Sequence, residues 1–103
     1  MGSRNVALQD SALTLERLVQ ERGDYAHVSV QARAGHLIVK AQDSQGAQVQ
    51  VARATPIGAG QYGLSFRSHS GHWEPMPVSG PLKEIAQALT DMLGAHLDRR
   101  NLG

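Results

Sequence analysis

His69 and His72 are the residues whose type and spacing first suggest chemistry, two imidazoles flanking the turn Ser68-His69-Ser70-Gly71-His72. With His27 or His36 as a third ligand they would form a nitrogen site suited to zinc, nickel or copper. No carboxylate stands at ligand spacing beside them and a turn histidine is ordinarily solvated, so no metal or other cofactor is assigned. Ser65, Ser68 and Ser70 lie near the same histidines, which permits a Ser-His-Asp arrangement on paper. Asp43 is the only carboxylate between residues 25 and 73, however, and no nucleophile-elbow pattern is present. The chain is therefore not expected to be an enzyme. Gly58-Ala59-Gly60-Gln61-Tyr62-Gly63 matches the glycine spacing of nucleotide-binding loops. That fingerprint needs a helix N-terminus behind the glycines to receive phosphate, and here Leu64-Ser65-Phe66 follows as a strand. The glycines read as a strand-to-strand loop.

Two surfaces remain for binding. Trp73-Glu74-Pro75-Met76-Pro77 combines Trp, Met and rigid prolines, a composition that suits protein interfaces, and its two prolines confine it to a sheet edge. An edge offers unpaired backbone to a protein partner or a second copy, so Arg67, Trp73, Pro75, Met76 and Pro77 are the candidate interface residues. The other surface is the polar face of the sheet. Alternation places on it Ser29, Gln31, Arg33, Ile38, Lys40, Gln42, Gln48, Gln50, Gln61, Ser65 and Arg67. Glutamine and arginine suit phosphates and base edges, but the aromatic platforms of sheets that bind single-stranded nucleic acid are missing from that set. Tyr62, Phe66 and Trp73 are expected to seat the core instead, as the bulkiest apolar side chains of an aromatic-poor chain; the competing reading leaves Trp73 at the edge interface.

The elements that must position these residues follow from periodicity. Leu8, Ala12, Leu15, Leu18 and Val19 recur at helical spacing from Val6 to Arg22, with Asp10 or Ser11 as a cap and Gly23 as a left-handed terminator. After Asp24 the period becomes two. Ala26, Val28, Val30 and Ala32 form one strand and Leu37, Val39 and Ala41 the next, joined through Ala34-Gly35. Asp43 to Gly46 turns into a third strand around Val49 and Val51, with Ala52 facing outward. A loop over Thr55 to Gly60 leads to a fourth through Tyr62, Leu64 and Phe66. Trp73 to Pro77 is a fifth piece, an edge strand or an extended crossover. Ser79-Gly80-Pro81 opens a last helix with proline at its first position, whose apolar stripe is Leu82, Ile85, Ala86, Leu89, Met92, Leu93, His96 and Leu97. Arg99 and Arg100 close it favourably for the macrodipole, and Asn101 to Gly103 are expected to fray. Each strand has one apolar face, so both helices must cover that face. The result is an α+β two-layer sandwich, a four- to five-stranded antiparallel meander with the N- and C-terminal helices on one side.

In this order the chain resembles frataxin-like domains. The likeness is carried by the hairpin Ala34 to Lys40, the turn at Ser44 to Gly46, the strand running into Thr55-Pro56, and Trp73 followed by Ser79-Gly80-Pro81. The resemblance implies the helix, meander, helix architecture and, as an alternative function, iron or zinc binding. Frataxin-like iron binding uses a dense acidic ridge at the end of the first helix and the start of the first strand; here that region offers Glu21 and Asp24 around Arg22.

Composition sets the outer limits. At 103 residues, positions 1–103 make a single domain with one core. The absence of cysteine excludes disulfides and thiolate metal sites and suits a reducing cytoplasm; no apolar run approaches the roughly 18 residues of a membrane span. Net charge is +1, with residues 25–73 at +3 and each flanking segment at −1. The sequence thus reads as a small cytoplasmic domain, bacterial in style, that acts by binding another protein or itself. Binding of nucleic acid by the mildly basic sheet face is the alternative.

Overall fold

The switch from helical to alternating periodicity and back produces seven elements: α1 (Gly2–Gln20), β1 (Val28–Arg33), β2 (His36–Gln42), β3 (Gln48–Gly58), β4 (Gln61–Arg67), β5 (Trp73–Gly80) and α2 (Leu82–Leu97). The structure is a computed structural model describing residues 2–68 and 70–97; His69, the side chain of His96, Arg99, Arg100 and the 101–103 tail lie outside the described residues. The strands pair antiparallel in the order β1-β2-β3-β4-β5, an open meander. Leu15 and Val19 of α1 and Ile85, Leu89, Leu93 and Leu97 of α2 pack with Val28, Leu37, Val39, Ala41, Ala52, Ala54 and Leu64 of the sheet in one buried cluster. Both helices therefore cover one sheet face, and the opposite face is open. The α+β two-layer architecture expected from the sequence is the one observed. No helix of the described residues is long and apolar enough to cross a membrane.

Local chemistry fixes the turns. Ala34 and Gly35 have φ of 53° and 82°, the left-handed pair that a two-residue hairpin requires, and Arg33 pairs with His36 across them. Asp43 closes the β2–β3 turn, its Oδ1 accepting from the backbone N–H of Gln45 and of Ala47 at 2.9 Å each. At β4–β5 the Ser68 N–H donates to the His72 carbonyl at 2.8 Å, and Gly71 takes φ 84°.

Several sequence expectations are corrected. The first helix begins eight or nine residues ahead of its expected caps; Asp10 and Ser11 are interior, and the Ser11 hydroxyl instead accepts from the Tyr62 hydroxyl at 3.0 Å. Gly23 is not left-handed; a Cβ there would lie 3.3 Å from the Tyr25 ring, so close approach is its reason. The first strand starts at Val28 and leaves Ala26 exposed. Thr55 to Gly58 are strand, and the expected loop shrinks to Ala59-Gly60. Pro56 is tolerated because β2 pairs with β3 only as far as Ala54, so no ladder bond toward β2 is lost. Met92, counted into the apolar stripe of the last helix, is 51% exposed. Pro81 precedes the last helix, and its carbonyl accepts from Ile85 N–H at 3.1 Å.

The register of β3 carries the largest correction. Val39 pairs with Ala52 but Lys40 pairs with Gln50, so Val51 is an extra residue, a β-bulge. Apolar parity changes across it: Val49 is half-buried on the side of its partner Ala41 before the bulge, Val51 is itself buried in the core cluster, and Ala52 and Ala54 face the core after it. Ala52, expected outward, is completely buried, and Arg53 turns to the open face.

Both sheet edges are guarded. On β1 the Gln20 side chain donates to the Val28 carbonyl at 2.9 Å, and Glu16 Oε1 accepts from the Val30 N–H at 2.9 Å. Two outward backbone groups are thereby occupied by α1. On β5, Pro75 and Pro77 have no N–H to offer, and a bulge breaks the ladder between Gly63/Ser65 and Ser79/Pro75.

Candidate functional site

Register alone builds the open face. Gln31, Ile38, Arg53, Ser65 and Pro75 are successive Cα partners and make one row across all five strands. A second row runs through Ser29, Lys40 and Gln50; Arg67 and Trp73 continue it, with Arg67 Nη1 donating to Gln50 Oε1 at 3.4 Å. Arg33 and His36 lie on the other side of the central row.

Trp73 pairs with Arg67 and so belongs to this face, away from the core. The expectation that it seats the core with Tyr62 and Phe66 fails. The chain reverses through the Ser68–His72 turn in a register that sets Trp73 opposite Arg67, whereas Glu74 takes the position opposite Phe66. Tyr62 is buried and Phe66 packs against the core, as expected. The guanidinium carbons of Arg53 and Arg67 stand 4.8 Å and 5.1 Å from the centre of the Trp73 ring, two cation–π contacts on one indole. Arg53 Nε is buried without a hydrogen-bond partner.

Ile38, expected to be displayed, is only 7% exposed, yet it is outside the main core cluster. Its row neighbours are Gln31 and Arg53, and His36 and Lys40 flank it along β2. Long side chains with apolar stems surround it, and the Lys40 ammonium reaches Gln31 Oε1 at 2.6 Å. His36 Nδ1 lies 2.9 Å from Thr55 Oγ1; burial, and secondly the neighbouring Arg53 charge, hold its pKa below the usual histidine value.

The charges on this face have one sign. Arg33, Lys40, Arg53 and Arg67 lie on it. Every described carboxylate is elsewhere: on α1 or just after it, in the β2–β3 turn, on the helix-facing side of β5, or on α2. The two described ion pairs, Arg17–Glu21 and Arg22–Asp91, are both on the helix side.

The other sequence candidates scatter. Pro75 is on the open face opposite Ser65, and Pro77 is exposed. Met76 is half-buried against the core cluster on the helix side. His72 is exposed in its turn, where its N–H donates to Ser68 Oγ. The His27 ring hydrogen-bonds the Leu97 carbonyl at the end of α2, and His36 sits at the opposite end of the sheet from His72. His27 and His72 are at opposite edges, four strand spacings or roughly 19 Å apart. Among the described residues no group of three or more His, Asp or Glu side chains could hold a metal ion. Asp43 closes its own turn, and the Ser68 hydroxyl contacts that of Ser70 at 3.0 Å, so the described Ser, His and Asp side chains are not drawn into a triad. The six-residue glycine motif is the end of β3, the two-residue turn and the start of β4, with no helix behind it.

Arg53 is the residue that alternation missed. Its signal is present in Val49-Gln50-Val51-Ala52-Arg53-Ala54, where the apolar positions shift from odd to even numbers, the mark of a bulge. No protein family, curated protein or solved structure matches the chain.

Proposed function

We propose that this chain is a non-catalytic binding domain whose open sheet face takes an acidic segment of another protein, in a cytoplasmic setting that suits a chain without cysteine. One observation carries the reading: Trp73 lies on the face that holds Arg33, Lys40, Arg53 and Arg67 and no described carboxylate. Trp and Arg are the side chains that most often dominate binding energy at protein interfaces. Two alternatives within the same class are less well supported. Pairing of this face with a second copy would oppose like charges, which costs several kcal/mol as an order of magnitude. Addition of a strand at either edge meets the prolines of β5 or the side chains of α1.

Binding of single-stranded nucleic acid is the second reading, favoured by the same placement of an aromatic ring among arginines on an open sheet. Metal binding of the frataxin-like kind draws no support from the described carboxylates and histidines.

Trp73 is the only tryptophan, so intrinsic fluorescence reports on this face directly. Titration with hexaglutamate and with a short oligothymidylate, at low and high salt, discriminates the readings. The expected outcome is a saturable change in Trp73 emission with hexaglutamate, weakened but not abolished by salt, and little response to the oligonucleotide. A response to oligothymidylate alone, falling steeply with salt, would replace the protein-binding reading with the nucleic-acid one.

A further inference from the structure

The surroundings of Trp73 narrow the ligand chemistry. Two guanidinium groups share its ring, and among the described residues neither has a carboxylate beside it. The Arg53 side chain makes no hydrogen bond to the described residues and keeps Nε buried and unpaired, while the Arg67 side chain has a single long hydrogen bond to Gln50. Cations brought together on one indole repel each other, and a buried unpaired N–H is itself unfavourable. One oxyanion lying between the two guanidiniums would relieve their repulsion.

Resting on the protein-binding reading above, we propose that Arg53 and Arg67 form a single carboxylate clamp beside Trp73, the anchor point for an aspartate or glutamate side chain of the partner. The planar fork of a guanidinium matches two oxygens of a carboxylate, which an ammonium cannot reproduce. Trp73 holds the two forks in place before the ligand arrives and so reduces the ordering that binding demands. Ile38, buried beside Arg53, gives the clamp an apolar floor that lowers the local dielectric and strengthens the ion contact.

The occupant is a protein carboxylate rather than a nucleic-acid phosphate for two reasons. Nucleic-acid-binding sheets stack two or three bases on separate aromatics. Here Tyr62 and Phe66 are committed to the helix side, and the one ring on the open face already faces two guanidiniums.

The test measures hexaglutamate affinity by Trp73 fluorescence for the wild type, Arg53→Lys, Arg67→Lys and Lys40→Gln, with circular dichroism confirming the fold of each. Lysine keeps the charge and loses the fork. The clamp predicts about tenfold or greater loss for each arginine-to-lysine change, and only a few-fold loss for Lys40→Gln, which removes a charge outside the clamp. Arg67 is exposed, so its variant remains informative should Arg53→Lys fold poorly. Wild-type affinity in Arg67→Lys, or losses that follow net charge alone, would overturn the clamp while leaving the acidic partner standing. No binding of hexaglutamate by the wild type, or tighter binding of oligothymidylate, overturns the clamp together with the reading it rests on.

Discussion

The β1–β2 turn allows a quantitative test, because two substitutions in adjacent exposed residues should move stability in opposite directions without touching any packing. Ala34 is the one described non-glycine residue with positive φ, at 53°, and Gly35 follows at 82°. A left-handed conformation costs an L-residue with a Cβ about 1–2 kcal/mol, and asparagine tolerates it best among non-glycine residues. Ala34→Asn creates the Asn-Gly pair preferred in such hairpins and should recover roughly half of that cost, about 0.5–1 kcal/mol. Gly35→Ala should do the reverse. A Cβ at Gly35 meets nothing within 4 Å, so no clash contributes, and only backbone terms remain. The left-handed cost of about 1–2 kcal/mol is offset by about 0.4–1 kcal/mol of lost freedom in the unfolded chain, leaving a net destabilisation near 1 kcal/mol. Urea denaturation followed by circular dichroism measures both, and thermal melts should move by about 4–8 °C per kcal/mol in a domain of this size. Two shifts of the same sign, or a neutral Gly35→Ala, would refute the assignment of a left-handed pair here and with it the Arg33–His36 register.

Further expectations concern the edge, the core and the sheet face. Combining Glu16→Ala with Gln20→Ala leaves the outward Val30 N–H and Val28 carbonyl without their α1 partners. Stability should fall by about 1–3 kcal/mol, and light scattering should reveal concentration-dependent association through the uncovered edge, which the single-site Arg17→Ala control lacks. Tyr62→Phe deletes the hydroxyl that donates to Ser11 and should cost about 1 kcal/mol in urea titrations; an unchanged midpoint would mean that this contact contributes nothing. His36 is held below its usual pKa in the fold, so its contribution is fully present above that usual value of about 6.5 and is lost as pH falls toward the depressed folded value. The stability gap between wild type and His36→Gln should therefore narrow or reverse on acidification from neutral pH, and a gap independent of pH would remove His36 from the acid response.

Element type and order were legible because the apolar period changes cleanly at Asp24 and again at Pro81, and because Ala34-Gly35 and Asp43 to Gly46 carry recognisable turn chemistry. What escaped was phase. A strict two-residue alternation has no way to represent an inserted residue; it places Ala52 outward and hides Arg53, and the true positions of both follow once Val51 bulges. The side of the sheet that Trp73 takes is hidden for a related reason. Its size argued for the core, but the side of the sheet it occupies is decided by the register across the β4–β5 turn, a pairing between strands that no single-strand pattern encodes. Ile38 shows the converse limit. Alternation put it on the correct face, and only the neighbouring strands reveal that the side chains around it keep it dry.

The meander also has a consequence for how the chain folds. Each strand pairs only with its neighbours in sequence, so the sheet can assemble hairpin by hairpin from nearby segments, the kind of topology that forms quickly. The layer that covers it comes from the two ends of the chain, with Leu15 and Leu89 meeting the same apolar surface. During synthesis that surface is complete before its second cover has been made. The interval between emergence of β5 and docking of α2 is therefore when the protein is most exposed to aggregation. Removing α2 would then yield a sticky sheet, not a smaller stable domain.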